Sequence, residues 1–263
     1  MPHLFSPDGD KAIARILAQR PLLALDFDGT LAPIVPQPEN ARAPLAISRI
    51  LKKLCNRLPV AIVSGRAKAD VIDRLGFVPH YLIGNHGAEG LPDVHPDLAH
   101  DQVAQWKAAL EPFAQEFSAA GVRLEDKGYS LSLHYRLARE RDDALALIEK
   151  IASSLSPAPR LIGGKCVLNL LPPDAPDKYR AICHLLILSG CDSVIFAGDD
   201  LTDDVVFEKA PQDWLTVRVE PAAGHRARFH LSHQNEMFLF LQRLLSGLES
   251  LQRPDVRKLF AGP

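Results

Sequence analysis

The chain predicts a parallel α/β fold carrying an inserted α+β unit, and three observations point there. Apolar runs of strand length recur at residues 22–25, 60–63, 81–83, 194–197 and 215–219, mostly separated by segments with helical spacing. The first run is closed by a turn signal, as expected of a strand buried on both faces of a parallel sheet. Between the third and fourth runs the pattern changes to one helix followed by alternating strands.

The first run, Leu22-Leu23-Ala24-Leu25, ends in Asp26-Phe27-Asp28-Gly29-Thr30. Ligands of parallel sheets bind beyond the carboxyl ends of the strands, so Asp26 and Asp28 stand where chemistry is done. Two neighbouring carboxylates at a dry strand end repel each other and call for a shared proton or a hard divalent ion, with magnesium the first candidate. Helical spacing over residues 44–58 leads to the second run, which ends in Ser64-Gly65-Arg66. A hydroxyl, a bare glycine amide and the start of the next helix, residues 68–75, form a small phosphate cradle, although the same residues suit a plain helix cap.

After the third run come helical spacing over residues 98–119, strands at 122–125 and 129–135, a second helix and one further strand. Leu131, Leu133 and Tyr135 alternate with Ser130, Ser132, His134 and Arg136, giving one face to pack and one to meet solvent or ligand. The inserted unit is placed at residues 90–171, leaving 1–89 and 172–263 as the core, with Pro172-Pro173 as the return linker. Lys127, His134, Arg136 and Lys165 concentrate cationic and polar groups on its strands, either as a solvated face or as a partner surface.

The core resumes with a helix over residues 177–188, and Lys178 could neutralise Asp26 if that helix begins at the site; otherwise it is a surface charge. The fourth run closes in Gly198-Asp199-Asp200-Leu201-Thr202-Asp203-Asp204, whose four carboxylates are costly unless they bind a cation or face water. Pairing this loop with Asp26 and Asp28 completes an oxygen ligand set that neither supplies alone. A last helix is predicted over residues 234–248.

Other readings fail on counting. An EF-hand starting at Asp26 would place Leu31 where glycine is needed and Gln37 where glutamate is needed; a P-loop ending at Gly164-Lys165 would need glycine at Pro159 and a hydroxyl at Cys166. His225, His230 and His233 lack the spacing of a metal site. The 263 residues carry 30 lysines and arginines against 32 acidic residues, so there is no basic footprint for nucleic acid and no attraction to a membrane surface. Cys55, Cys166, Cys183 and Cys191 form no Cys-x-x-Cys pair and are expected to be reduced, and with neither a leader nor a span in sight the expected location is cytoplasmic.

The order Asp-x-Asp-Gly-Thr, Ser-Gly-Arg, lysine, Gly-Asp-Asp-x-Thr-Asp resembles the four motifs of the haloacid dehalogenase superfamily of phosphatases. Residues 84–89 (GNHGAE), 124–136 (LEDKGYSLSLHYR) and 164–167 (GKCV) further resemble the trehalose-6-phosphate phosphatase family. The resemblance implies a Rossmann-like core with an α/β cap inserted between the second and third motifs. It implies that Asp26 attacks phosphorus and that Asp28 protonates the leaving sugar oxygen and then activates water. Magnesium would be held by the Asp26 carboxylate, the Asp28 backbone carbonyl and Asp199, with Asp200 and Asp203 as ligands or supports. Ser64, Gly65, Arg66 and Lys178 would hold the phosphoryl oxygens, and Lys127, His134, Arg136 and Lys165, with Glu89 near the hinge, would read the sugar hydroxyls. Asn169, Tyr179 and Val205 depart from the family pattern at a glutamate, a glycine and a carboxylate. The expected activity is hydrolysis of trehalose 6-phosphate by a monomer, the alternatives being another sugar phosphate (sucrose phosphate or mannosyl-phosphoglycerate) or a non-catalytic sensor.

Overall fold

The structure is a computed structural model and describes residues 1–92, 96–221, 224 and 226–252. His225 and the end of the chain, on which parts of the reading above fall, lie outside the described residues. A helix not expected from the sequence, α1 (Pro7–Leu17), opens the chain under a cap from Ser6, whose hydroxyl accepts the Gly9 amide. The core follows as β1 (Pro21–Leu25), α2 (Leu45–Cys55), β2 (Val60–Val63), α3 (Lys68–Leu75) and β3 (Tyr81–Ile83). It resumes later as α7 (Lys178–Ser189), β8 (Ser193–Gly198), α8 (Leu201–Lys209), β9 (Leu215–Val219), β10 (Phe229–Leu231) and α9 (Glu236–Gln252).

These six strands form one parallel sheet in the order β10-β9-β8-β1-β2-β3. β1 lies between β8 and β2, and every residue of all three is buried, which explains their unbroken apolar sequences. Leu23 and Leu25 pack with α1, α2 and α9 on one face, while Leu22 and Ala24 pack with α7 and α8 on the other. Leu22, Leu23 and Leu25 are fully buried, each contributing roughly 1.5–3 kcal/mol of apolar burial. Asp26 is therefore the next residue of a strand buried on both faces and paired on both sides.

Between β3 and α7 the chain builds α4 (Pro96–Leu110), α5 (Ala114–Ala119), β4 (Arg123–Asp126), β5 (Leu131–His134), α6 (Arg141–Ala152), β6 (Arg160–Gly164) and β7 (Val167–Leu171). Its strands form a separate sheet, ordered β4-β5-β7-β6 and antiparallel throughout. A third core, including Trp106, Leu131, Leu133, Ile148 and Leu170, joins this sheet to its helices.

Two expectations are corrected here. The helical pattern over residues 98–119 is broken by a 3-10 turn at Glu111–Phe113, because Pro112 has no amide to continue the ladder. The single strand expected before Pro172 is a hairpin, β6 and β7, turning through Lys165 and through Cys166 at φ 62°.

Candidate active site

The tips of β1 and β8 and the start of α7 converge on one buried charge cluster. The Asp26 amide donates to the Ala197 carbonyl at 2.9 Å, which fixes the end of β1 against β8. Lys178 begins α7 because the Asp177 side chain caps it, accepting the Arg180 amide at 2.8 Å. The Lys178 ammonium then donates to Asp26 Oδ1 at 2.8 Å and to Asp203 Oδ1 at 2.7 Å.

The acidic loop after β8 divides its four carboxylates among distinct partners. Asp200 caps α8, accepting the Leu201 amide at 2.8 Å, while Asp203 Oδ2 accepts the Asp200 amide at 3.0 Å. Arg218, buried in β9, donates to Asp204 Oδ1 and to the Asp199 carbonyl, both at 2.8 Å. That leaves the Asp199 carboxylate facing Asp26. Gly29, at φ 76°, allows this approach, since a Cβ there would stand 2.1 Å from Asp199 Oδ2.

Asp26, Asp199 and Asp203 each offer an oxygen within 4.8 Å of the others. Three carboxylates against one ammonium leave an excess of negative charge in a dry place. Burial first, then the neighbouring Asp203 and Asp199, raises Asp26 well above the ordinary carboxylate range despite Lys178. Asp199 is pushed up to about 7 by burial and by Asp203. Lys178, although burial opposes its charge, is held above the ordinary lysine value by Asp203 and Asp26. A hard divalent cation bound by oxygens is the group that relieves this imbalance.

A second polar hub surrounds Arg66. Its Nε and Nη2 donate to the two oxygens of Asp28 at 2.6 and 2.7 Å, its Nη1 donates to Asp70 at 2.7 Å, and Nη2 also reaches the Pro38 carbonyl at 2.8 Å. The Asp28 carboxylate is thus held in a bidentate fork. Ser64 Oγ accepts the Arg66 amide at 3.1 Å, so the hydroxyl organises the turn after β2.

The inserted sheet supplies the facing wall. Lys127 Nζ lies 3.5 Å from the Gly65 carbonyl, and burial holds its pKa below the ordinary lysine value against the pull of Glu125. His134 Nε2 stands 2.6 Å from Glu125 Oε2, Arg136 donates to the Lys165 carbonyl at 3.3 Å, and Lys165 Nζ lies 3.7 Å from Asp199 Oδ2. Asn169 lines the same space but its oxygen accepts from Ser132 at 2.6 Å and its nitrogen donates to the Ile162 carbonyl at 3.2 Å. The two walls enclose a cleft of about 440 Å³, within the range usual for small-molecule sites.

Of the residues singled out by sequence, Glu89 and Asp203 do not line the cleft. Asp203 supports Lys178 from behind. Glu89 differs from its expected place: its Oε2 accepts the Lys68 amide at 2.9 Å and the Asn85 side chain at 3.0 Å, which ties it to the start of α3. The Asp200 carboxylate, expected as a ligand or support, lies outside the three-carboxylate group among the described residues. Sequence reasoning missed Arg123, Glu125, His86 and Thr202, all of which line the cleft. Alternation along β4 places Arg123, Glu125 and Lys127 on one face and could have exposed the first two. His86 carried no periodic signal.

The Trehalose-phosphatase family model matches residues 24–231. A trehalose-phosphate phosphatase of Mycolicibacterium paratuberculosis is 33% identical over 221 residues, which cover 77% of this chain and 55% of the relative. An uncharacterized glycosyl hydrolase of Mycobacterium tuberculosis is 32% identical over 262 residues, covering 91% of this chain and 19% of its own. This chain therefore spans from 19 to 55% of the length of these two curated relatives. The crystal structure of a trehalose-6-phosphate phosphatase related protein superposes with a TM-score of 0.72 at 26% identity, covering 88% of this chain and 100% of that one.

Proposed function

We infer, from the premise that this chain belongs to the trehalose-phosphatase family, that it is a magnesium-dependent phosphatase releasing trehalose and phosphate from trehalose 6-phosphate. The observation that carries the reading is Asp26: a buried carboxylate at the tip of the central strand, joined to Lys178 and facing a cationic wall across the cleft.

In this reading an Asp26 oxygen attacks phosphorus, the bond to the sugar oxygen breaks, and an aspartyl-phosphate forms while trehalose leaves. Asp28 gives its proton to the departing oxygen, then takes one from the water that hydrolyses the acyl phosphate. Because Arg66 grips both Asp28 oxygens, Asp28 must leave that fork and gain a proton before it can act as the acid. Lys178 favours the ionised form of Asp26 against the pull of burial and neutralises transferring phosphoryl oxygens, helped by the Ser64 hydroxyl and the Gly65 amide. A magnesium ion held by Asp26, Asp199 and Asp203 would offset the carboxylate charge and screen the phosphoryl oxygens. Lys127, His134, Arg136 and Lys165 would read the disaccharide, while Asn169, engaged within its own sheet, would support their spacing.

A monomer acting in the cytoplasm is part of the same proposal; no helix among the described residues is long and apolar enough to cross a membrane. The test is phosphate release from trehalose 6-phosphate beside sucrose 6-phosphate, mannosyl-phosphoglycerate and glucose 6-phosphate, each with magnesium and with chelator. Magnesium-dependent preference for the first is expected. Preference for another ester would discard the substrate, and saturable binding without release on all four would favour a sensor.

A further inference from the structure

Between β3 and the inserted unit lies a buried asparagine that no step above uses. Asn85, fully buried, takes φ 50°, His86 takes φ 57° and Gly87 takes φ 118°. Two of these three residues bear a Cβ in left-handed backbone, a conformation that persists only where the surroundings enforce it. The enforcement comes from the phosphate cradle: the Asn85 amide donates to the Arg66 carbonyl and the His86 amide to the Ser64 carbonyl, both at 2.9 Å.

The Asn85 side chain adds two further ties. Its Nδ2 donates to Glu89 Oε2 at 3.0 Å, and the same oxygen accepts the Lys68 amide at the start of α3. A carboxylate can only accept, so the amide nitrogen must face Glu89, which leaves Asn85 Oδ1 as the acceptor for Ser130 Oγ at 2.7 Å. Ser130 is buried, belongs to the inserted unit and immediately precedes β5, the strand that carries His134. On the opposite side Gly87 leaves room for the Pro176 carbonyl, which a Cβ would approach to 2.4 Å, two residues ahead of Lys178.

We propose that Asn85 is a positioning residue that transmits the posture of the inserted unit to the Ser64–Arg66 cradle, so that the cradle is set for phosphoryl transfer while Ser130 is seated on it. The inference rests on the phosphatase reading. A buried hydrogen bond of ordinary strength corresponds to about a tenfold effect. S130A is expected to lower kcat/KM about tenfold for trehalose 6-phosphate and for p-nitrophenyl phosphate alike, because both esters place their phosphoryl group in the cradle. N85A is expected to lower both about tenfold, chiefly in kcat, and the double variant to be no worse than N85A. Wild-type values for S130A on both esters, or losses that multiply in the double variant, overturn the proposal.

Amide hydrogen exchange in S130A gives a readout independent of turnover, and this variant, which loses one hydroxyl, keeps the test open if N85A fails to fold. The Asn85 and His86 amides are expected to exchange about tenfold faster than in the wild type, with global melting shifted little. Unchanged protection overturns the coupling. A wild type silent on both esters would sink the phosphatase reading instead, and the exchange measurement then decides the coupling alone.

Discussion

The two walls of the cleft are built on opposite terms. On the core side, Lys178 and its partners Asp26 and Asp203 have side-chain exposures of 2%, 6% and 0%. On the inserted side, His134 and Lys165 are exposed to 25% and 59%. Every member of the core cluster is held by at least one other before any ligand arrives, so its electrostatics need no reorganisation. The facing wall is looser: Arg136 holds the Lys165 carbonyl, Lys127 reaches the Gly65 carbonyl of the core, and His134 and Lys165 each meet a single carboxylate. In the proposed reading the reaction falls to the core and the choice of substrate to the inserted sheet.

The largest effect should come from the core. D26N is expected to lower phosphate release by about 10⁴-fold or more while melting near the wild-type temperature, because an amide oxygen can still accept from Lys178. Turnover at wild-type rate would remove Asp26 as nucleophile and the comparison with it. K178M should show the same wall failing as a structure. It leaves Asp26 and Asp203 buried without their cation, at a cost of about 3–5 kcal/mol in chemical denaturation, and a wild-type midpoint would mean that the cluster is not held as described.

The charge excess of the core wall sharpens the comparison through pH. Folded Asp199 keeps its proton up to about 7, whereas the unfolded chain gives it up near 4. Between those values the folded, metal-free protein binds more protons than the unfolded one, so its stability falls as pH rises through that window. Magnesium, which binds ionised carboxylates, should reverse the slope, and melting curves at pH 5 and pH 8 with magnesium or chelator will show it. A chelated protein more stable at pH 8 than at pH 5 would contradict the assignment. The smallest effect belongs to the inserted sheet: S132A removes the partner of Asn169 and should cost about 1 kcal/mol of stability, with p-nitrophenyl phosphate turnover unchanged. Loss of that turnover would mean the inserted wall takes part in the chemistry itself.

The core wall was legible in the sequence because its signals are local. An unbroken apolar run followed by Asp26, Ser64 or Asp199 fixes strand, tip and orientation together. Lys178 was legible only conditionally, since its place depends on where α7 starts, a matter settled by the Asp177 cap. What stayed hidden is long-range or conformational. The fork between Arg66 and Asp28 joins residues 38 apart in the chain, and no periodicity announces it. β6 was hidden by Gly163 and Gly164, which weaken a strand pattern, and β10 is too short to stand out, whereas α1 was legible from its Ser6 cap, Pro7 and first-turn Asp8 and Asp10 and was missed. Glu89 read as a sugar ligand because its neighbours resemble those of the family, yet its oxygen faces the Lys68 amide instead.

The division of labour between the walls is tested most directly by one ratio, kcat/KM for trehalose 6-phosphate over kcat/KM for p-nitrophenyl phosphate, in the wild type and in R136A with magnesium present. The account predicts that R136A lowers the first value by about tenfold or more and leaves the second within about twofold, so that the ratio collapses. Equal losses on both esters would contradict it, making Arg136 a support for the fold rather than a reader of the sugar.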